Sequence, residues 1–354
     1  LLFGQDGDDV LAGGPGADRL LGGIGKDTYL FGYGDGSDRI EENASGKGGG
    51  VYIRGDNATE RALLWILGGS SIAFNAALTY GGGIYCDAYA TIYHDSGDIT
   101  ANSAQYGGGA YLHDTCAYDS MVNDTAFTGY NQNTATSSGG GLYTQGPLAI
   151  RGSQSYAFWF LGNHSGGDGG GLVVSGGDGR TVTLHTTVLM NNSGLNRAGV
   201  ALAVYGDVKV NLAPAPGHDQ CSFLGVGLGA CSAVVGNTSS SIAMGGVVTA
   251  MGNAGSAPMV TVRDTVFLDN TGPAVIDAWY AAGFDVEGSI FRGNTIAGSV
   301  DQPALFRLRS DDGTQAQNSR LAWSTVTGNV AGATNASILD HDTASIDLRG
   351  SILH

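Results

Sequence analysis

A unit of nine residues runs three times without a slip through the start of the chain: Gly4-Gln-Asp-Gly-Asp-Asp-Val-Leu-Ala12, Gly13-Gly-Pro-Gly-Ala-Asp-Arg-Leu-Leu21 and Gly22-Gly-Ile-Gly-Lys-Asp-Thr-Tyr-Leu30. Each reads Gly-Gly-x-Gly-x-Asp-x-apolar-x, and a fixed period of this kind calls for a coil whose turns stack. Glycine lets the backbone take φ > 0 and aim carbonyl oxygens inward. The Asp at the sixth place adds a hard anionic oxygen, and Ca²⁺ takes six to eight oxygen ligands. The apolar eighth residue points into a thin core. A flexible Gly/Asp linker would have no reason to keep an apolar residue at every ninth place. A looser fourth unit, 32–40, adds Asp38, while Gln5 stands where the first unit should have its second glycine and weakens that edge.

On these units, residues 1–42 resemble the RTX family of secreted calcium-binding proteins. The resemblance implies a parallel β-roll in which Asp9, Asp18 and Asp27 sit on alternating edges, so that Asp9 and Asp27 share a side. It also implies Ca²⁺ at Asp9, Asp18, Asp27 and Asp38, with Asp6 and Asp8 as further candidate ligands.

From Asn43 onward the period changes. An Asn followed by a Gly-Gly-Gly-apolar run recurs: Asn43 with 48–52, Asn75 with 81–85, Asn102 with 107–111, Asn133 with 139–143 and Asn163 with 169–173. The third glycines fall at 50, 83, 109, 141 and 171, so one unit is about 30 residues. Later the glycines erode, but 187–192, 265–270, 289–294 and 324–329 still begin with a hydroxyl and end with Asn. Short β-branched and aromatic runs separated by Gly, Asn and Asp at this period predict a parallel β-solenoid. It would have three strands per turn and about ten turns, stacked at about 4.8 Å. Equivalent residues then lie above one another. Asn75, Asn102, Asn133 and Asn163 are expected to form an amide ladder, Tyr52, Tyr85, Tyr111 and Tyr143 an aromatic stack, and Phe267 and Phe291 a core pair. The fold class is therefore all-β, a short parallel β-roll (1–42) continuing into a β-helix (43–354). Residues 43–354 resemble the right-handed parallel β-helix superfamily. Within it they are similar to bacterial surface β-helices of the polymorphic outer-membrane and autotransporter passenger type. An inserted loop at about 212–236 swells one turn, and projecting loops on rigid scaffolds often carry recognition.

Composition narrows the partners. The net charge is −16, acidic residues are almost all Asp, and the only lysines are Lys26, Lys47 and Lys209. Nucleic acid and anionic membranes need Lys and Arg to neutralise phosphate, so neither is expected. No apolar run approaches the ~20 residues of a membrane helix; the run 62–67 reads as a buried strand. Four cysteines permit two disulfides in an extracellular protein, Cys86–Cys116 across neighbouring coils and Cys221–Cys231 within one loop; free buried thiols are the alternative. With no initiator Met and no signal-peptide pattern, the chain reads as a processed or partial product.

Right-handed β-helices commonly host polysaccharide lyases and uronate epimerases. Four histidines precede Asp, and Tyr93-His94-Asp95 and Tyr111-Leu-His113-Asp114 fall on adjacent turns. Tyr93, His94, His113 and Asp114 are the candidate catalytic set, supplying acid, base and carboxylate neutralisation. Against that, no Lys or Arg lies between Arg61 and Arg151, where a polyanionic substrate would need them. His-Asp also serves simply to end a strand and start a turn. The favoured reading is a secreted or cell-surface structural or adhesive solenoid that binds Ca²⁺. Head-to-tail contact of copies would build filaments, and a glycan or cell-surface component is a possible partner. The alternative is a carbohydrate-active enzyme.

Overall fold

Parallel strands stacked in register account for the architecture. The computed structural model describes the chain except residues 8, 17, 25–27, 31–38, 56, 60, 68–69, 123–126, 154–155, 196–198, 217–231, 241–244, 254, 298–302, 310–317, 333–335, 342–344 and 354, and except the side chains within 22–45. No helix occurs among the described residues.

The first four strands are β1 (Leu2–Asp6), β2 (Val10–Ala12), β3 (Arg19–Ile24) and β4 (Thr28–Leu30). Leu2 lies opposite Leu20 where β1 meets β3, and Val10 lies opposite Thr28 where β2 meets β4. Both steps are 18 residues, so two nonapeptides make one turn of a β-roll, as the repeat implied. The eighth residues Leu11 and Leu20 are buried, and Leu2 packs on the same core. Gln5 takes φ 84°, close to the φ 74° of Gly14 at the matching place of the next unit. A side chain has been forced into the conformation that the repeat assigns to glycine.

The next strands are β5 (Arg39–Lys47), β6 (Val51–Ile53), β7 (Ala62–Ile66), β8 (Ser71–Ala73) and β9 (Ala76–Tyr80). On one side of β5, Arg39 lies opposite Arg19 of β3; on the other, Arg39 lies opposite Ser71 of β8 and Ala44 opposite Ala76 of β9. The step thus lengthens from 18 residues to 20 and then to 32, with no break in the ladder. Roll and helix are one stack, and β5 lies across residues 42 and 43. β7 is not fully buried as expected: Leu64 and Ile66 face the core while Leu63 and Trp65 face solvent.

One full turn runs through β10 (Ile84–Cys86), β11 (Ala90–His94), β12 (Gly97–Thr100) and β13 (Ser103–Tyr106) before β14 (Ala110–Leu112) lands on β10, Tyr111 opposite Tyr85. β10 and β11 share one long face, and in later turns the two segments fuse into single strands, Leu172–His185 and Leu202–Ala213. Three faces therefore surround the core. Between β9 and β10 the backbone ladder continues through the glycine triplet, Gly82 N–H donating to Gly107 O at 3.1 Å. A Cβ on Gly82 would stand 2.3 Å from Gly108 O, which is why this corner admits nothing larger.

Among the described residues nine asparagines form the ladder, running beyond the expected four to Asn192, Asn237, Asn270, Asn294 and Asn329. In each step the backbone N–H and Nδ2 of one Asn donate to Oδ1 of the next at 2.9–3.1 Å. Asn75 to Asn329 spans about eight turns, slightly fewer than the ten expected. The residue before every ladder Asn has φ between 53° and 66°, and five of these nine (Phe74, Ala101, Gln132, Asn191 and Asp269) are not glycine. At another corner the hydroxyls form a ladder of their own: the N–H of Thr265, Ser289 and Ser324 donates to Ser289, Ser324 and Ser351 Oγ at 3.2–3.3 Å.

Phe267 and Phe291 stack in the core at 4.5 Å, and Cys86 is bonded to Cys116 across neighbouring coils, both as expected. Leu189 lies opposite Val234, a step of 45 residues, while Leu212, Ala213 and Ala233–Val235 at the ends of the expected loop lie in strands. Cys221, Cys231 and residues 217–231 of that loop lie outside the described residues.

Candidate calcium edge and side-chain ladders

Asp9 immediately precedes β2 and Asp18 immediately precedes β3, so these two carboxylates stand at the starts of strands in different sheets of the roll. Both are partly buried, whereas Asp6, at the end of β1, is exposed. Asp8, Asp27 and Asp38 lie outside the described residues. The donor chemistry fits Ca²⁺: carboxylates beside glycine-rich turns rich in backbone carbonyls, all hard oxygens. Among the described residues no group of three or more His, Cys, Asp or Glu side chains converges.

The four residues proposed for catalysis do not form one site. His94 points into the core and is fully buried. Its Nε2 lies 2.9 Å from Gly97 O, which can only accept, so Nε2 carries the proton and Nδ1 accepts from the Tyr118 hydroxyl at 2.5 Å. Tyr118, Tyr130 and Phe158 close around the ring edge-on. Burial pushes its pKa down to about 4, against the smaller upward pull of the Gly97 hydrogen bond. Tyr93, its chain neighbour, points the opposite way and stacks on Trp65 at 4.2 Å. His113 and Asp114 pair with each other at 2.6 Å in a solvent-facing turn after β14. Strand alternation carried this signal: Leu64, Ile66 and Ile92 mark the inward row, and His94 is two residues on from Ile92.

The tyrosine stack is present, with ring centres of Tyr52, Tyr85, Tyr111 and Tyr143 separated by 5.5, 5.7 and 5.0 Å. Its polar ends are spoken for. Tyr52 and Tyr85 donate to Asp87 at 2.6 and 3.3 Å, and Tyr111 donates to Gln145 at 3.0 Å. Burial raises the Asp87 carboxyl, but these phenols together with Arg54 and Lys47 outweigh it and hold the group below its usual range. Rings that face one another and hydroxyls bonded within the protein leave a sugar little surface to stack on.

Sequence reasoning missed a buried ion pair in the later turns. Arg307 Nε and Nη2 donate to Asp277 Oδ1 and Oδ2 at 2.8 and 2.6 Å, both side chains fully buried, and Trp279 Nε1 donates to Asp277 Oδ2 at 2.6 Å. The two lie opposite one another in register, so aligning the turns would have brought them together. Nearby, Arg320 bridges Asp285 at 2.8 Å and Glu287 at 2.5 Å on a solvent-facing surface.

Residues 1–29 match the family model of the RTX calcium-binding nonapeptide repeat, in 4 copies. Neither a curated protein nor a solved structure matches the chain. Among the described residues no helix is long and apolar enough to cross a membrane.

Proposed function

We propose that this chain is an extracellular β-solenoid rod with a structural or adhesive role, whose calcium-binding repeats form its first turns. The observation that carries this reading is β5, which pairs with the roll on one side and with the helix on the other. Asp9 and Asp18 would hold Ca²⁺ together with Asp27 and Asp38, with Asp6 and Asp8 as further candidate ligands. Bound Ca²⁺ supplies positive charge that lets closely spaced carboxylates and carbonyls pack. Without it the carboxylates repel, so the roll should loosen in a low-calcium cytosol and order after export.

An extracellular location is supported by the secreted habit of RTX proteins, by the Cys86–Cys116 disulfide and by a net charge of −16 that suits a calcium-rich medium. In the adhesive reading the stacked sheets would be the binding faces, as in the surface-displayed passenger proteins that residues 43–354 resemble. A stack of parallel strands also presents rows of backbone groups that a further strand can pair with. The proposal therefore extends to head-to-tail association of copies, whose heterologous contacts give filaments.

Circular dichroism of the full chain in chelator and in millimolar Ca²⁺ tests the calcium reading: strand signal should rise with Ca²⁺, and an unchanged spectrum counts against it. Electron microscopy of the same samples tests assembly, where stable monomers at high Ca²⁺ would remove the filament part.

A further inference from the structure

Opening of a stacked solenoid begins at an end and moves turn by turn, because each turn touches only its neighbours. Toward the roll, the wide turns end on β5. This strand is held from both sides, by β3 from Arg19↔Arg39 to Gly23↔Asn43, and by β8 and β9 through Ile40↔Ile72, Ala44↔Ala76 and Lys47↔Tyr80. Its last residue adds a side-chain tie: Lys47 Nζ lies 5.1 Å from the centre of the Tyr85 ring and 5.6 Å from that of Tyr80, at the head of the tyrosine stack. One turn further on, the disulfide joins Cys86, at the end of β10, to Cys116, and both cysteines are fully buried.

We infer that calcium held by the roll sets the order of β5 and of the first wide turn, β8 and β9 included, and that the Cys86–Cys116 disulfide stops this dependence from travelling further. The inference deepens the reading of the N-terminal repeats as Ca²⁺ sites and rests on it. When the roll loosens, β5 loses β3, its partner on one side, and becomes an edge. The exposed cation–π contacts of Lys47 with Tyr80 and Tyr85 are a weak substitute for a strand. Fraying then reaches β8 and β9, which pair with β5, and moves on to β12 and β13. There it meets a covalent tie between turns, which keeps β10 and β14 together whatever happens above them. Calcium dependence should therefore fall off steeply rather than fade along the whole rod.

Hydrogen exchange of the full chain, read by mass spectrometry in Ca²⁺ and in chelator, tests this. Peptides from β5, β8 and β9 should exchange more slowly in Ca²⁺, by up to about a hundredfold when free Ca²⁺ exceeds its Kd a hundredfold. Peptides beyond Cys116 should exchange equally in both. In a Cys86→Ala/Cys116→Ala variant the calcium dependence should extend past residue 116. A milder variant with the disulfide intact, Lys47→Gln, should speed exchange in β9 severalfold while leaving residues 1–30 unchanged. If residues 1–30 respond to Ca²⁺ but β5, β8 and β9 do not, the inference fails and the calcium reading stands. If residues 1–30 do not respond either, the calcium reading itself fails.

Discussion

Asn102 and Asn133, on adjacent turns, are joined twice: the backbone N–H of Asn102 reaches Asn133 Oδ1 at 3.0 Å and its Nδ2 reaches the same oxygen at 3.1 Å. Asn133 Nδ2 in turn donates to Ile99 O at 2.7 Å and to Asn163 Oδ1 at 3.0 Å. All of this is buried. Asn133→Ala strands two donors of Asn102 and removes a donor from Ile99 O, and each buried orphan costs about 1–3 kcal/mol. Denaturant unfolding should show a loss of roughly 2–5 kcal/mol, and a loss below 1 would mean that the ladder is incidental.

Gln132, just before Asn133, holds φ 53° where Gly162 and Gly236 occupy the matching place of other turns at 64° and 62°. A side chain in this region costs about 1–2 kcal/mol, part of which is offset because glycine loses more entropy on folding. Gln132→Gly should therefore stabilise by about 0.5–1 kcal/mol, measured as an upward shift in Tm. Destabilisation would show that the Gln132 side chain itself holds the turn.

His94 makes stability fall in acid. Its pKa is lowered to about 4 in the folded chain, by burial first, from an ordinary value of 6.5. The unfolded chain therefore takes up the proton first, and the stability given by the neutral ring is lost as pH falls from about 6.5 to about 4. The slope is about 1.4 kcal/mol per pH unit within that window. His94→Gln can keep a donor to Gly97 O and an acceptor for Tyr118 without titrating. Unfolding measured between pH 4 and pH 7 should lose this slope in the variant; an unchanged slope would place the titrating group elsewhere.

Arg307→Met takes both guanidinium hydrogen bonds from the fully buried Asp277 and leaves it, among the described residues, the Trp279 N–H. Breaking a buried pair in this way costs about 3–5 kcal/mol, whereas replacing both partners with apolar groups is often close to neutral. The Asp277→Leu/Arg307→Met double variant should therefore recover much of the loss in thermal unfolding. Additive damage from the two changes would contradict this account of the pair.

The periodic parts of this fold were legible in the sequence because stacking converts a repeat directly into contacts. Asn75 over Asn102, Tyr85 over Tyr111 and Phe267 over Phe291 follow from spacing alone. What stayed hidden depends on neighbours outside the repeat. Phe74 and Ala101 give no sign in themselves of the left-handed backbone they adopt just before a ladder Asn. Nothing within β5 says that it pairs with both roll and helix, since its partners differ in period. The His94-Asp95 pair left open both a strand end and, as the alternative, chemistry, while the inward row set by Ile92 decides where the ring goes. At the calcium edge the pattern named Asp9 and Asp18, which the structure sets just before β2 and β3, but a coordination shell is made of converging atoms, and spacing alone does not supply these.

The calcium-binding repeats are the first turns of a single stack. A crystal structure of the full chain grown with Ca²⁺, with anomalous maps for the ion, tests it most directly. Predicted are ion peaks beside Asp9 and Asp18 and an unbroken parallel ladder through Leu20, Ile40 and Ile72. A roll detached from β5, or no ion at those aspartates, would contradict it.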